Sequence, residues 1–476
     1  MTMLGIDLGT GSVKAAVLDE DLTVLAQASR AYAVTSPRPG WAESDPREWL
    51  EASVDVALRA IEESGSAPTS VGFSGQMHGV VVADAVLSPR RPAILWADVR
   101  SAEQTAAMAR DLPAELLASL GSPAVSGFAA TTLAWLVEHE PQVFDGAAHV
   151  LQPKDWLRAA LGGEVATEPS DASGTLMLDV ASGMWSADAV AWTGIDPALL
   201  PGIRASQASA GAIRIGAHDV PCVVGGADTA CVIAGLGLRV GDGFVAVGSG
   251  SQTVRMLDEP TLDDTLRTHT FAVAGAPASG WYRIGAVQSA GLTLTAALRW
   301  LDASIEEASA ALAQGIRADD PVFVPYLSGE RTPFMTPGLR GSWHGLSLGT
   351  DRAAMLRSVL EGVAQAVALG VEAVQQSGAP LPGVVPLVGG GTHDPAFRQL
   401  LADACQVSLA VTEAPDAAVI GAALLGTGRT SSPREPGLSG RVDPDPQAVA
   451  MLAERRGRMV REVERRQGDD QDGVHA

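Results

Sequence analysis

Gly5-Ile6-Asp7-Leu8-Gly9-Thr10-Gly11-Ser12-Val13-Lys14-Ala15-Ala16-Val17-Leu18-Asp19-Glu20 returns later in the chain without a gap, as Phe244-Val245-Ala246-Val247-Gly248-Ser249-Gly250-Ser251-Gln252-Thr253-Val254-Arg255-Met256-Leu257-Asp258-Glu259. The offset, from Gly9 to Gly248, is 239 residues, about half of the 476-residue chain. Each segment reads as an apolar strand, a glycine-hydroxyl-glycine bend and a second strand. One such match is weak. Its place at the head of each half makes duplicated halves the better account.

Reading outward, Leu22 to Tyr32 predicts a third strand after the first hairpin, and Thr268 to Ala274 and Trp281 to Val287 predict strands after the second. Asp45-Pro46 is an N-cap followed by proline at the first helical position, and it opens a helix with Trp49, Leu50, Val54, Leu58 and Ile61 on one face. Ser289 to Leu301 and Arg352 to Val374 show the same spacing. Short apolar strands follow helices at Ser70 to Ser74, Ala93 to Trp96, Val220 to Gly225 and Val384 to Val388. The expected class is therefore α/β with mixed sheets. The expected division is 1–238 and 239–430, then 431–476 as loop, helix and tail. Gly426 to Pro446 reads as a loop, Ala448 to Arg466 as a charged helix and Gln467 to Ala476 as a frayed end.

Composition narrows the classes of function. The chain is 46% hydrophobic and 18% charged, which suits two or three packed cores. Its formal net charge is −22, which argues against nucleic acid as a partner but not against a nucleotide. No charged and apolar leader opens it. Its longest apolar stretch, Val220 to Leu238, is broken by glycines and Asp228, so no membrane span is expected. Three cysteines, Cys222, Cys231 and Cys405, fit a reducing, cytoplasmic setting. Only Lys14 and Lys154 among the 33 cations are lysines, which is either coding bias or a need for a compact ammonium.

Glycine turns let backbone amides approach an anion, so Thr10-Gly11 and Ser249-Gly250 are candidates to hold phosphate from two sides. Either turn alone reads more readily as an ordinary hairpin, and it is the pair that points to a clamp. Asp7 interrupts an apolar strand, and a cation such as Mg2+ explains a carboxylate there. The repeat has Ala246 in its place, so the clamp is asymmetric in charge. Asp228, in Gly225-Gly226-Ala227-Asp228, ends a strand and starts a helix. Read alone it favours an N-cap over a general base. Met77-His78 ends another strand, and a lone histidine there reads more readily as structural than as functional. Gly389-Gly390-Gly391-Thr392-His393-Asp394 leads into a helix and leaves room for a base or phosphate. No Walker lysine motif, no GxGxxG after a strand and no zinc spacing is present.

Ten ordered segments resemble the FGGY family of carbohydrate kinases. They are GIDLGTGSVKAAVLDE (5–20), GWAESDPREW (40–49), SGQMHG (74–79), RPAILWADVR (91–100), LQPKDWLR (151–158), SDASGTLMLDV (170–180), GGADTA (225–230), PYLSGERTPF (325–334), LEGVAQAVALG (360–370) and GGGTHDPAFRQLLAD (389–403). The resemblance implies two ribonuclease H-like, actin-like ATPase domains facing each other across a deep cleft. It further implies ATP-dependent, Mg2+-assisted phosphorylation of D-xylulose at the 5-hydroxyl. On the matching positions it makes Asp228 the general base and Asp7 the magnesium-placing carboxylate. Met77, His78, Asp228 and Thr229 become sugar contacts. Thr10, Gly11, Ser249 and Gly250 become phosphate contacts, and Gly390, Gly391 and Asp394 the adenosine site. A homodimer is the implied assembly. Three positions depart from the family pattern: Thr229 stands where asparagine is usual beside the base, Ala97 where Trp-Asn-Asp is usual, and Ser249 where threonine is common. The first two leave other pentuloses or polyols (ribulose, L-xylulose) open. A sugar-independent ATPase switch is the rival from another class, disfavoured by the Asp228 turn and by the lack of a peptide-binding domain after the second half.

Overall fold

The computed structural model describes residues 2–390, 393–412, 416–433 and 437–473. Its first lobe is built on β1 (Met3–Leu8), β2 (Ser12–Leu18), β3 (Val24–Ala31), β4 (Ser70–Gly75), β5 (Ser209–Ile215), β6 (His218–Val223) and β7 (Gly226–Ala227). They form one mixed sheet in the order β5-β6-β4-β1-β2-β3, with β7 also paired to β4. The opening three strands are antiparallel because tight turns join them; β4 runs parallel to β1 because α1 (Pro46–Ser64) crosses between them. α1 starts where expected, with the Asp45 side chain accepting from the Arg47 amide and Pro46 in the first turn.

The second lobe repeats this plan. β8 (Gly243–Val247) and β9 (Ser251–Leu257) make the hairpin, β10 (His269–Ala272) and β11 (Trp281–Val287) extend it, and β12 (Val384–Val388), β13 (Ser408–Thr412) and β14 (Leu438–Val442) complete the sheet. The order is β10-β11-β9-β8-β12-β13-β14. In both lobes the second hairpin strand pairs antiparallel with a third, and the first pairs parallel with a strand reached through a helix. The duplication inferred from the two hairpins thus extends to the sheet topology around them.

Two helices join the lobes. α2 (Asp228–Leu236) follows β7, and α6 (Ala417–Leu425), from the far end of the chain, packs on α2 and on β1 and β4. Their contact is at backbone distance: a Cβ at Gly421 would lie 1.9 Å from the Cys231 carbonyl oxygen, and one at Gly235 would lie 2.1 Å from that of Ala417. One core cluster accordingly spans both lobes, including Met77, Phe128, Cys231, Phe271, Tyr282 and Leu425.

Further helices of the second lobe are α3 (Gly291–Trp300), α4 (Arg352–Gln376) and α5 (Pro395–Cys405), and α7 (Pro446–Gly473) closes the described chain. α4 is long and apolar enough to cross a membrane by length and composition, but 94% of its most apolar window is buried within the protein. Three expectations need correction. The segment Gly426 to Pro446 is not all loop, since β14 lies within it and pairs with β13. α7 continues through residues expected to fray: its buried face of Leu452, Arg455, Met459 and Val463 recurs at helical spacing, and the Arg455 guanidinium is held by Glu361. Ala93 to Trp96 contributes only a two-residue strand, Ala93–Ile94, paired with Glu43–Ser44 outside both main sheets.

Candidate active site

The first glycine turn is braced from behind. The Gly9 amide donates to the Ser12 carbonyl at 2.9 Å, and the Tyr32 hydroxyl donates to the Gly9 carbonyl. Thr10 Oγ1 accepts the Trp96 indole N–H at 2.8 Å, which leaves the threonine proton free to donate. A Cβ on Gly11 would meet nothing within 4 Å, so this glycine serves neither the turn nor internal packing and leaves the space above it open. The second turn is closed by Gly248 donating to Gly250. The Gly291 and Leu292 amides donate to the Gly248 and Ser249 carbonyls, seating the N-terminus of α3 against that turn with its positive end alongside. The Ser249 side chain is exposed.

β1, the central strand, carries Asp7 opposite Lys14 on β2 and Ser74 on β4. Ser74 Oγ donates to Asp7 at 2.6 Å, and Lys14 pairs with Asp416, which sits at the start of α6. Burial lifts the Asp7 carboxyl above its ordinary range, against the lowering effect of Ser74 and Lys14. Asp7 thus has partners within the protein as well, a hydroxyl donor and a nearby ammonium.

Asp228 is the first residue of α2, while Ala227 holds the N-cap position with no side-chain bond. The N-cap alternative therefore does not describe it. Its Oδ1 accepts from the Thr229 amide at 2.5 Å and the Thr229 hydroxyl at 3.2 Å, and Oδ2 makes no hydrogen bond among the described residues. Burial, then the charge of Asp7, push its carboxyl up to about 6, the Thr229 bonds pulling the other way. The Thr229 hydroxyl also lies 3.2 Å from Gln252 Oε1 on β9, a link between the lobes.

Met77 and His78 form a buried wall beside these groups. His78 adopts a left-handed backbone (φ 72°), and its Nδ1 lies 2.6 Å from the Gly174 carbonyl. A carbonyl only accepts, so Nδ1 carries the proton and Nε2 presents a lone pair. The ring stacks on Phe128 at 3.8 Å, and burial with the charge of Arg331 holds its basicity well below the usual histidine range. The imidazole is therefore neutral. Met77 lies on the other side, its sulfur 3.9 Å from the Tyr282 hydroxyl.

Gly389 and Gly390 follow β12, next to β8, and the Gly389 Cα is so close to the Val247 carbonyl that a Cβ would lie 2.6 Å from it. This brings Gly390 beside the second turn, with open space where its side chain would be. Asp394 is engaged as the N-cap of α5, accepting from the Ala396 and Phe397 amides. Gly391 lies outside the described residues. Among the described residues no three His, Cys, Asp or Glu side chains gather as a metal cage.

Beneath the site lies a cluster that sequence reasoning touched only through its lysine count. Lys154 is wholly buried, 2.8, 3.1 and 3.4 Å from Asp155, Asp171 and Glu168. Glu168 accepts from Ser170, whose oxygen accepts the Ala227 amide at 2.9 Å, so the cluster braces the Asp228 turn. One compact ammonium meeting three carboxylates favours the chemical reading of Lys154 over coding bias. The roles of Trp96, Asp416 and Gln252 were missed as well, because each contact joins residues remote in sequence.

Two duplicated lobes, a glycine-hydroxyl-glycine turn in each, and a base-range carboxyl at the helix that joins them define a phosphotransfer enzyme of the actin-like ATPase fold. Comparison with known proteins agrees. Residues 2–236 match the N-terminal domain and residues 244–428 the C-terminal domain of the FGGY family of carbohydrate kinases. The chain belongs to that family and is a carbohydrate kinase. It is 34% identical over 411 residues to a xylulose kinase of Escherichia coli, covering 84% of each chain. It resembles the crystal structure of a xyloylose kinase of Brucella ovis with a TM-score of 0.87 and 32% identity, over 98% of this chain and 100% of that one. A gluconate kinase structure from Lactobacillus acidophilus gives the same TM-score, 0.87, at 20% identity over 97% of each chain, which is a likeness of fold alone.

Proposed function

We propose that this chain transfers the γ-phosphoryl group of ATP to the 5-hydroxyl of D-xylulose. The observation that carries the reading is Asp228: a carboxyl lifted to about 6, with Oδ1 fixed by Thr229 and Oδ2 unbonded, next to Asp7 and the first phosphate turn. At pH 7 such a group is mostly ionised yet basic enough to take a hydroxyl proton as it becomes acidic in the transition state. The names of the relatives at 34% and 32% identity support xylulose as the sugar.

In this reading the sugar lies against Met77 and His78, with Nε2 of His78 accepting one hydroxyl proton and Asp228 Oδ2 facing the 5-hydroxyl. The O5–phosphorus bond forms as the bond between phosphorus and the β,γ-bridging oxygen breaks. The proton passes to Asp228 and ADP leaves. Thr10 Oγ1, its acceptor role filled by Trp96, donates to a phosphate oxygen, and the amides of Gly11 and Gly250 line the two sides. Ser249, Gly390 and Asp394 remain on the nucleotide side. The charge of Asp7 adds to the cost of ionising Asp228, which suits a cation held near Asp7. Mg2+ takes one or two carboxylates plus phosphates and keeps its waters, so the lack of a larger cage fits it. When bound it neutralises charge on the transferring phosphoryl group. Thr229, already shared between Asp228 and Gln252, offers the sugar less than an asparagine does.

Phosphorus and proton NMR of the product from MgATP and D-xylulose tests this. A phosphoester coupled to the C5 protons is expected. An ester at another carbon, or none, overturns it.

A further inference from the structure

Arg331 belongs to the second lobe, yet its contacts lie in the first. Nη2 donates to the Trp96 carbonyl at 2.7 Å, and the guanidinium carbon stands 5.1 Å from the Trp96 ring centre and 5.6 Å from that of Phe128. Phe128 is the ring on which His78 stacks, and Trp96 is the donor to Thr10 in the first phosphate turn. One side chain of the second lobe therefore touches both the wall facing the sugar and the residue holding the phosphate turn. The backbone behind it is pinned: buried Glu330 accepts from the Gln288 amide at 2.7 Å and the Arg331 amide at 2.8 Å. Among the described residues Nε and Nη1 of Arg331 make no hydrogen bond, and the side chain lines a cavity of about 90 Å³ between the lobes with Ala97, Gln288 and Glu330. Burial without a bound carboxylate brings its basicity down to about 10. A desolvated guanidinium with one hydrogen bond is a poor source of stability, so a positional role accounts for it better.

We propose that Arg331 is a positioning residue of lobe closure: it clamps Trp96, and through Trp96 Thr10, so that the first phosphate turn takes its working geometry when the second lobe docks on the sugar wall. The proposal rests on the kinase reading above. It is tested by comparing wild type, R331M, W96F and the double variant for kcat, MgATP affinity, and the ratio of sugar-dependent to sugar-independent ATP consumption. W96F keeps an aromatic ring under the guanidinium and deletes the N–H to Thr10 together with the second ring of the indole. R331M is expected to lose about tenfold or more in kcat and to spend a larger share of ATP without sugar product, as displaced reacting groups and admitted water require. W96F is expected to bind MgATP several-fold more weakly. The double variant should be no worse than R331M, because the two contacts act in series. A merely structural arginine would lower the folded fraction without moving the coupling ratio. The proposal is overturned if R331M keeps its coupling ratio, if W96F keeps wild-type MgATP affinity, or if the two effects add. If R331M does not fold, R331Q is read on the same coupling ratio, and an unchanged ratio overturns the proposal. If wild type fails on D-xylulose, the substrate reading falls, while MgATP affinity of the variants still decides the clamp.

Discussion

Asp228 shows how far a residue's meaning depends on its surroundings. From sequence it is an acidic residue at a strand-to-helix junction, and capping explains it better than catalysis does. In the structure Ala227 takes the cap position, and one Asp228 oxygen has no hydrogen bond among the described residues. Asp228→Ala is expected to lower kcat by about 10³-fold or more while MgATP binding stays near wild type, measured by ADP release and by calorimetry. The pH profile follows from the same group. Activity in kcat/KM should rise as pH increases through about 6, where Asp228 loses its proton. His78 is held neutral far below that range, so it adds no second acid limb. Stability runs the other way. A carboxyl raised above its unfolded value favours the folded state in acid, and that contribution is lost as pH rises through the folded value. Asp228→Asn should therefore melt a few degrees above wild type at pH 7, with the difference vanishing near pH 4. Equal melting temperatures at pH 7 would contradict the burial argument.

At the scale of elements, glycines that look alike in the sequence separate by what surrounds them. Gly11 has open space where a side chain would be, whereas Gly421 meets the Cys231 carbonyl at 1.9 Å. The same Gly→Ala change should thus give opposite results. At Gly11 it should leave thermal stability unchanged and raise KM for ATP, because a methyl occupies the phosphate cradle. At Gly421 it should force α2 and α6 apart, costing about 3 kcal/mol or more, with loss of turnover because α2 carries Asp228. Thermal melts and ATP titrations of the two variants check this. The Lys154 cluster makes a third case. Lys154→Met leaves Asp171 without its cation, while Asp155 keeps Arg158 and Glu168 keeps its serine donors, and it is expected to cost about 3–5 kcal/mol, read by denaturant unfolding. A variant as stable as wild type would show that the cluster does not brace the Asp228 turn. None of these elements was fully legible beforehand. Hairpins, and the Asp45-Pro46 start of α1, are local and were read. The Gly235–Gly421 crossing and the Lys14–Asp416 pair join residues that only tertiary packing brings together.

At the scale of the molecule, two matching segments 239 residues apart foretold duplicated lobes, and both sheets follow one strand order around their hairpins. What the sequence could not show is how the lobes are joined. α6, from near the end of the second lobe, lies on the first lobe's central strands, and side chains of the second lobe, Asp416, Gln252 and Arg331, reach first-lobe residues. Such links turn two similar halves into one site, with the proposed sugar wall and base in one lobe and a glycine-hydroxyl-glycine turn in each. The most direct measurement is ADP release with MgATP against D-xylulose, D-ribulose, L-xylulose, L-ribulose, glycerol and no sugar. The account predicts turnover that depends on added sugar and is greatest with D-xylulose. Preference for another polyol would contradict the substrate, and ATP consumption indifferent to sugar would contradict the kinase reading of the site.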